Sequence, residues 1–152
     1  MKARILLAST AAALATALLA ASPASAHSTD DWSNGPAPEY VENSRYAEST
    51  TGNVRQKTEI SWTGYSVVVR AAVSDLGNDG YCGAVQIRYE IRSSSSWAGH
   101  WHYRTAVKDC SANGDAEVAR YAYSRYDTRN VHSRVCHATS SGAIVECESI
   151  WH

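Results

Sequence analysis

Polar and apolar residues alternate most regularly between Tyr81 and Cys110. In the first arm Val85, Ile87, Tyr89 and Ile91 share one parity, and Gln86, Arg88, Glu90 and Arg92 take the other. A period of two marks a half-buried β-strand. A Ser- and Gly-rich tip follows over residues 93–99, then a second alternating arm. With Cys82 opposite Cys110, Val85 faces Val107, Ile87 faces Thr105, Tyr89 faces Tyr103 and Ile91 faces Trp101. A one-residue slip would set polar side chains against this apolar row, so the pattern specifies the register. The one awkward pairing is Arg88 opposite Arg104, which Glu90, on the diagonal from Arg104, partly offsets.

The same period runs through the rest of the second part of the chain. Val54, Thr58, Ile60 and Trp62 form one dry face, with Arg55, Lys57 and Glu59 on the other. After a turn at Thr63-Gly64, residues 65–73 are apolar on both parities except Arg70, the pattern of a central strand. Asp75 to Gly80 is a turn. Residues 116–126 fit a helical stripe and a strand, and their tyrosine content and strand neighbours favour a strand. Residues 130–138 and 143–151 form a last hairpin around Ser140-Ser141-Gly142. Turn signals every 8–12 residues or so predict an all-β fold, a small antiparallel β-sandwich over residues 52–152.

Residues 27–51 differ. Gly35, Pro36 and Pro38 interrupt a run of Ser, Asp, Asn, Glu and Thr with no sustained apolar period. The segment reads as an extended or disordered N-terminal tail, since it offers little burial to offset its ordering entropy. Ahead of it, Lys2 and Arg4 precede an apolar, Ala-rich run and an Ala24-Ser25-Ala26 motif. That is the form of a secretory signal peptide, residues 1–26, removed after Ala26. The expectation is a secreted, extracellular domain, with no membrane association after cleavage.

Charge and cysteine content narrow the partners. Processing lowers the 14 basic residues to 12 and leaves all 15 acidic ones, a net charge of −3. Nucleic acid is excluded as the main partner, because phosphate binding requires clustered positive charge. Four cysteines in an exported chain read as two disulfides. Of the three pairings, the hairpin register favours Cys82 with Cys110 and Cys136 with Cys147.

Four groups of residues are candidates for chemistry. His100 and His102 share a strand face in this register, with Glu90 nearby. Two His and a carboxylate are the minimum for a metal site, but H-x-H lacks a clear set of further ligands, and no metal or cofactor is expected. His137 lies opposite Glu146 if Cys136 faces Cys147. Such a pair is the alternative catalytic site, that of a small hydrolase working by general acid–base transfer. Tyr121 and Tyr123, among Arg120, Arg125 and Arg129, form an aromatic face suited to a protein or a glycan. Trp32 and Tyr40 stand in the tail as docking anchors, with nothing local to bury them.

The Ala-rich signal peptide, the Trp32-bearing tail and the two-disulfide domain together resemble, in layout, the small adaptor subunit of actinobacterial umbrella toxin particles. That resemblance implies an exported β-rich adaptor whose N-terminal extension inserts into a partner lectin subunit and bridges it to a large toxin chain. No residue motif carries over. The expected function is therefore a non-catalytic binding or adaptor module. Its partner is a secreted protein such as a lectin or toxin subunit, with a glycan as the other ligand class. Its contacts are Trp32, Tyr40, Tyr121 and Tyr123.

Overall fold

The structure is a computed structural model and describes residues 31–114 and 116–152. The proposed signal peptide and residues 27–30 lie outside the described residues. Ten strands follow one another: β1 (Trp32–Gly35), β2 (Asn43–Thr51), β3 (Val54–Thr63), β4 (Ser66–Asp75), β5 (Cys82–Ser93), β6 (Ser96–Trp97), β7 (His102–Asp109), β8 (Val118–Ser124), β9 (Thr128–Ala138) and β10 (Ile144–Cys147). They build two antiparallel sheets. The first has the order β1-β8-β4-β3-β2, and the second has β10-β9-β5, with β6 and β7 both on the free side of β5.

Period-two patterning explains the layering. On β3, Val54, Gln56, Thr58 and Ile60 are buried and the residues between them are not. On the facing sheet Val85, Ile87, Val131 and Val135 complete the main apolar core. Gln56 is polar yet fully buried. Its amide donates to Ser49 Oγ at 2.8 Å and its Oε1 accepts from Thr58 at 3.1 Å, so the desolvation of both ends is compensated. At Gly83 the sheets approach so closely that a built Cβ would lie 2.7 Å from Val54 Cγ1. Only glycine fits there.

β4 is buried on both faces, as its sequence predicts. One face, with Val67, Val69, Ala71 and Val73, meets the second sheet. The other is roofed by residues 36–42, which carry the chain from β1 on one edge of the sheet to β2 on the opposite edge. Ala37, Pro38 and Val41 enclose a recess with Val68, Arg70 and Tyr121. Gly35 makes the start of this crossover possible. A Cβ there would lie 2.7 Å from the Tyr123 ring, whose hydroxyl donates to Pro36 O at 2.6 Å.

Over the described residues, from Asp31 on, the crossover corrects the reading of residues 27–51 as a tail. Residues 32–35 pair with β8, and residues 43–51 pair with β3 in an unbroken nine-residue register. β2 escaped the pattern because it is an edge strand with both faces largely wet, so it shows no apolar alternation. Its order comes from the ladder with β3. β1 escaped because it is four residues long and buries only one large side chain, Trp32.

Residues 118–124 are a strand, not a helix. Both disulfides are those the register favoured, Cys82–Cys110 and Cys136–Cys147. Two such bridges are typical of extracellular proteins.

Candidate binding face

The register of the central hairpin holds only at its base. Val85 pairs with Val107 as expected. A β-bulge at Ala106 then shifts the pairing by one, so Gln86 meets Thr105, Arg88 meets Tyr103 and Tyr89 meets His102. A bulge inserts one residue on one strand and re-aims the side chains beyond it. Every residue of β7 before Ala106 therefore exchanges faces relative to the expected register. His102 and Arg104 turn inward, while Trp101 and Tyr103 turn outward. The like-charge opposition of Arg88 and Arg104 disappears in the same step.

β1 stabilises the inward set. Trp32 is 1 % exposed and stands edge-on to Tyr89, with ring centroids 5.2 Å apart. Asp31, buried beside it, accepts from the Tyr89 hydroxyl at 2.9 Å, and His102 Nδ1 lies 3.2 Å from the same oxygen. Burial, then the charge and hydrogen bond of Asp31, push the Tyr89 hydroxyl well above the usual tyrosine range. Arg104 donates to Trp32 O at 3.3 Å. His102 Nδ1 and the Arg104 guanidinium thus find partners in the segment that the sequence pattern left outside the fold.

The outward set makes the more exposed feature. On the solvent face of the second sheet the Arg88 guanidinium lies 4.6 Å from the ring centroids of both Trp101 and Trp151. Arg134 lies 4.2 Å from the Trp151 ring and donates two hydrogen bonds to Gln86 Oε1, at 3.0 and 2.7 Å. Tyr103 packs beside Trp151 and His132 beside Trp101, each pair with centroids 6.0 Å apart. Each cation–π contact of this kind contributes about 0.5–1 kcal/mol where water has access. Trp151 is held there because His152 exchanges two backbone hydrogen bonds with Ser133. Arg88 and Arg134 form no direct ion pair among the described residues; the charge of Glu148 offsets part of that of Arg134, and the stack stays positive overall. The face continues along the sheet to Trp97, with Arg129 at 4.1 Å from its ring.

The sequence-derived candidates distribute differently. Trp32 is a core residue, which corrects its reading as a docking anchor: its indole fills the space between β1, β5 and β7. Tyr40 is 76 % exposed on the crossover. Tyr121 and Tyr123 are half-buried beneath that crossover, on the sheet face opposite the Trp101 stack. His100 and His102 do stack, with centroids 4.8 Å apart. Glu90, however, turns to the outer face, where Arg129 and Asn130 bind it at 2.8 and 2.9 Å. Those hydrogen bonds, Asn130 first, hold its carboxyl below the usual glutamate range. His102 and Glu90 therefore point to opposite sides of the sheet, and the expected three-residue set does not assemble. His137 is opposite Glu146 in register, as expected, but its Nε2 lies 2.9 Å from Asn53 Oδ1 and 3.6 Å from Asp79. Its ring faces the β2–β3 turn instead of the partner strand.

The sequence reading missed Arg88, Trp101, Arg134 and Trp151. The signal for them was the Arg88–Arg104 clash, which an unbulged register cannot remove. The geometry as a whole defines a two-disulfide antiparallel β-sandwich with one solvent-facing aromatic–arginine surface. Comparison with protein-family models, with curated proteins and with solved structures found no match.

Proposed function

We propose that the chain is a secreted, non-catalytic binding module that docks a protein partner through the outer face of its second sheet. The observation that supports this is the stack Trp101–Arg88–Trp151–Arg134, whose four members come from four different segments of the chain. Tryptophan and arginine dominate the energetics of protein interfaces, because they bury large area with few rotamers to freeze. Intramolecular stacking fixes those rotamers before any partner arrives, which lowers the entropy lost on binding. The positive charge of the face favours a partner with an acidic rim. The adaptor layout accords with this role, with the contact moved from the N-terminal segment to the sheet. Acid–base catalysis by His137 and Glu146 would require the His137 ring to leave Asn53 and turn across the strand pair.

The test is capture of extracellular proteins from the source culture by the tagged mature chain, with Trp101→Ala, Arg88→Ala and Tyr121→Ala in parallel. Loss of a captured partner with the first two and retention with the third is the expected outcome. Undiminished capture by Trp101→Ala and Arg88→Ala would refute the assignment of the face.

A further inference from the structure

β2 forms an open edge of the first sheet. Its nine residues pair with β3 without a bulge, and it contains no proline or lysine. The turn into β3 has two residues, Gly52 and Asn53, with Gly52 at φ 54°. A two-residue hairpin turn closes on a hydrogen-bonded pair, here Thr51 with Val54. Bonded and non-bonded pairs alternate along a ladder, so Asn43, Arg45, Ala47 and Ser49 also direct their N–H and C=O groups to β3. Ser44, Tyr46, Glu48 and Thr50 direct theirs outward. Among the described residues no strand meets them there. A long, flat, uncovered edge is a template for another strand.

The residues along this edge complement themselves. A two-fold axis perpendicular to the sheet sets each residue against one of the same parity in a second copy, so the sheet faces match. With the axis at Ala47, the middle residue of β2, the whole strand overlaps. The outward residues then form hydrogen-bonded pairs, Ser44 with Thr50 and Tyr46 with Glu48, each occurring twice. Ala47 meets its own counterpart as a non-bonded pair, where Cα atoms approach to about 4.5 Å and a small side chain fits. On the outer face Tyr46, whose hydroxyl donates to Glu48 of its own chain at 3.0 Å, lies opposite Glu48 of the second copy. On the inner face Arg45 pairs with no carboxylate among the described residues. It lies opposite Ser49 of the second copy, and the Ser49 hydroxyl donates to Glu148 at 2.7 Å, so Arg45 gains an acidic neighbour. A space of about 410 Å³ beside Arg45, Ala47, Thr58 and His152 leaves room for these side chains. An axis at Arg45 or at Glu48 would instead oppose like charges.

We propose that two copies of the mature chain pair β2 to β2 about a two-fold axis at Ala47, joining the five strands of each first sheet into one continuous sheet. A second copy is favoured over an unrelated strand because a single register satisfies the open backbone, the close approach at the axis and both charges together. The pairing is separate from the Trp101–Arg88 face and does not depend on that assignment.

The test is sedimentation velocity of the mature chain between about 1 µM and 1 mM, with Ala47→Glu and Arg88→Ala in parallel. The expected result is a monomer–dimer equilibrium that Ala47→Glu weakens by about tenfold or more, because it sets two carboxylates against each other at the axis, and that Arg88→Ala leaves unchanged. Two cysteine variants decide the register and keep the test open if Ala47→Glu fails to fold. Ala47→Cys should cross-link the two copies on mild oxidation, since facing Cα atoms at about 4.5 Å lie within disulfide range. Ser44→Cys should not, because its two counterparts stand about 20 Å apart along the strands. A chain that stays monomeric throughout, a dimer indifferent to Ala47→Glu, or cross-linking through Ser44→Cys as readily as through Ala47→Cys overturns the proposal. A dimer lost with Arg88→Ala alone belongs to the outer face, which would remove this inference and leave the other reading standing.

Discussion

Replacing Trp32 with alanine should unfold a large part of the domain's stability reserve. The indole is 1 % exposed and packs edge-on to Tyr89. A buried tryptophan removes roughly 200 Å² from water, which at about 25 cal/mol per Å² is about 5 kcal/mol as an upper estimate. Alanine retains a little of that burial, and the void left behind relaxes only in part. Measured costs for Trp→Ala at buried sites run at about 3–5 kcal/mol. For a domain of this size each kcal/mol lowers the melting temperature by about 3–6 °C, so a fall of about 10–30 °C is expected. Urea unfolding followed by far-ultraviolet circular dichroism suits the comparison, since tryptophan fluorescence itself changes with the substitution. Tyr40→Ala is the control: the ring is 76 % exposed and its loss should move stability by no more than about 0.5 kcal/mol. A cost below about 1 kcal/mol for Trp32→Ala would show that β1 is peripheral, and the whole explanation of the bulge would fall with it.

Three further outcomes follow from the packing. Replacing both members of one disulfide with alanine should cost about 3.5 kcal/mol for Cys82–Cys110 and about 3 kcal/mol for Cys136–Cys147, the longer loop costing more; denaturant midpoints check the order. Gly83→Ala should destabilise by about 1–3 kcal/mol in the same assay, because its Cβ would lie 2.7 Å from Val54 Cγ1 and 3.0 Å from Val73 Cγ2. His132 is held below its ordinary value of 6.5 in the folded state, so protons bind the unfolded chain more readily. Its contribution to stability is present above that value and declines as pH falls below it towards the lowered folded value; His132→Gln should flatten the stability profile in that acid range, and a parallel profile would refute the assignment.

Much of the fold was legible because it rests on alternation with one dry face. β3, β5, β9 and the hairpin base belong to this set, and the cysteine pairing followed from their registers. What failed to appear were the elements whose order comes from elsewhere. β2 is wet on both faces and is held by β3's backbone, which leaves no mark in side-chain polarity. β1 is anchored by one indole. The bulge at Ala106 was invisible for the same reason: it is favourable only because Asp31 and the Trp32 carbonyl wait on the inner side for His102 and Arg104. Without β1, an unbulged hairpin buries the better apolar row. The candidate site inherited that error. Trp101 and Tyr103 were counted into the core and the histidines onto the surface, when the bulge exchanges the two sets.

The most direct measurement is the thermal unfolding of a chain that begins at Gly52, compared with the mature chain by circular dichroism. That truncation removes β1, β2 and the crossover that roofs β4, and with them Trp32, Asp31 and the nine-residue ladder on β3. The expected result is a chain with no cooperative transition, because both edges of the first sheet and the partners of His102 and Arg104 are gone. A cooperative transition within a few degrees of the mature chain's would contradict it, and would return residues 27–51 to the role of a tail that binds a partner without supporting the fold.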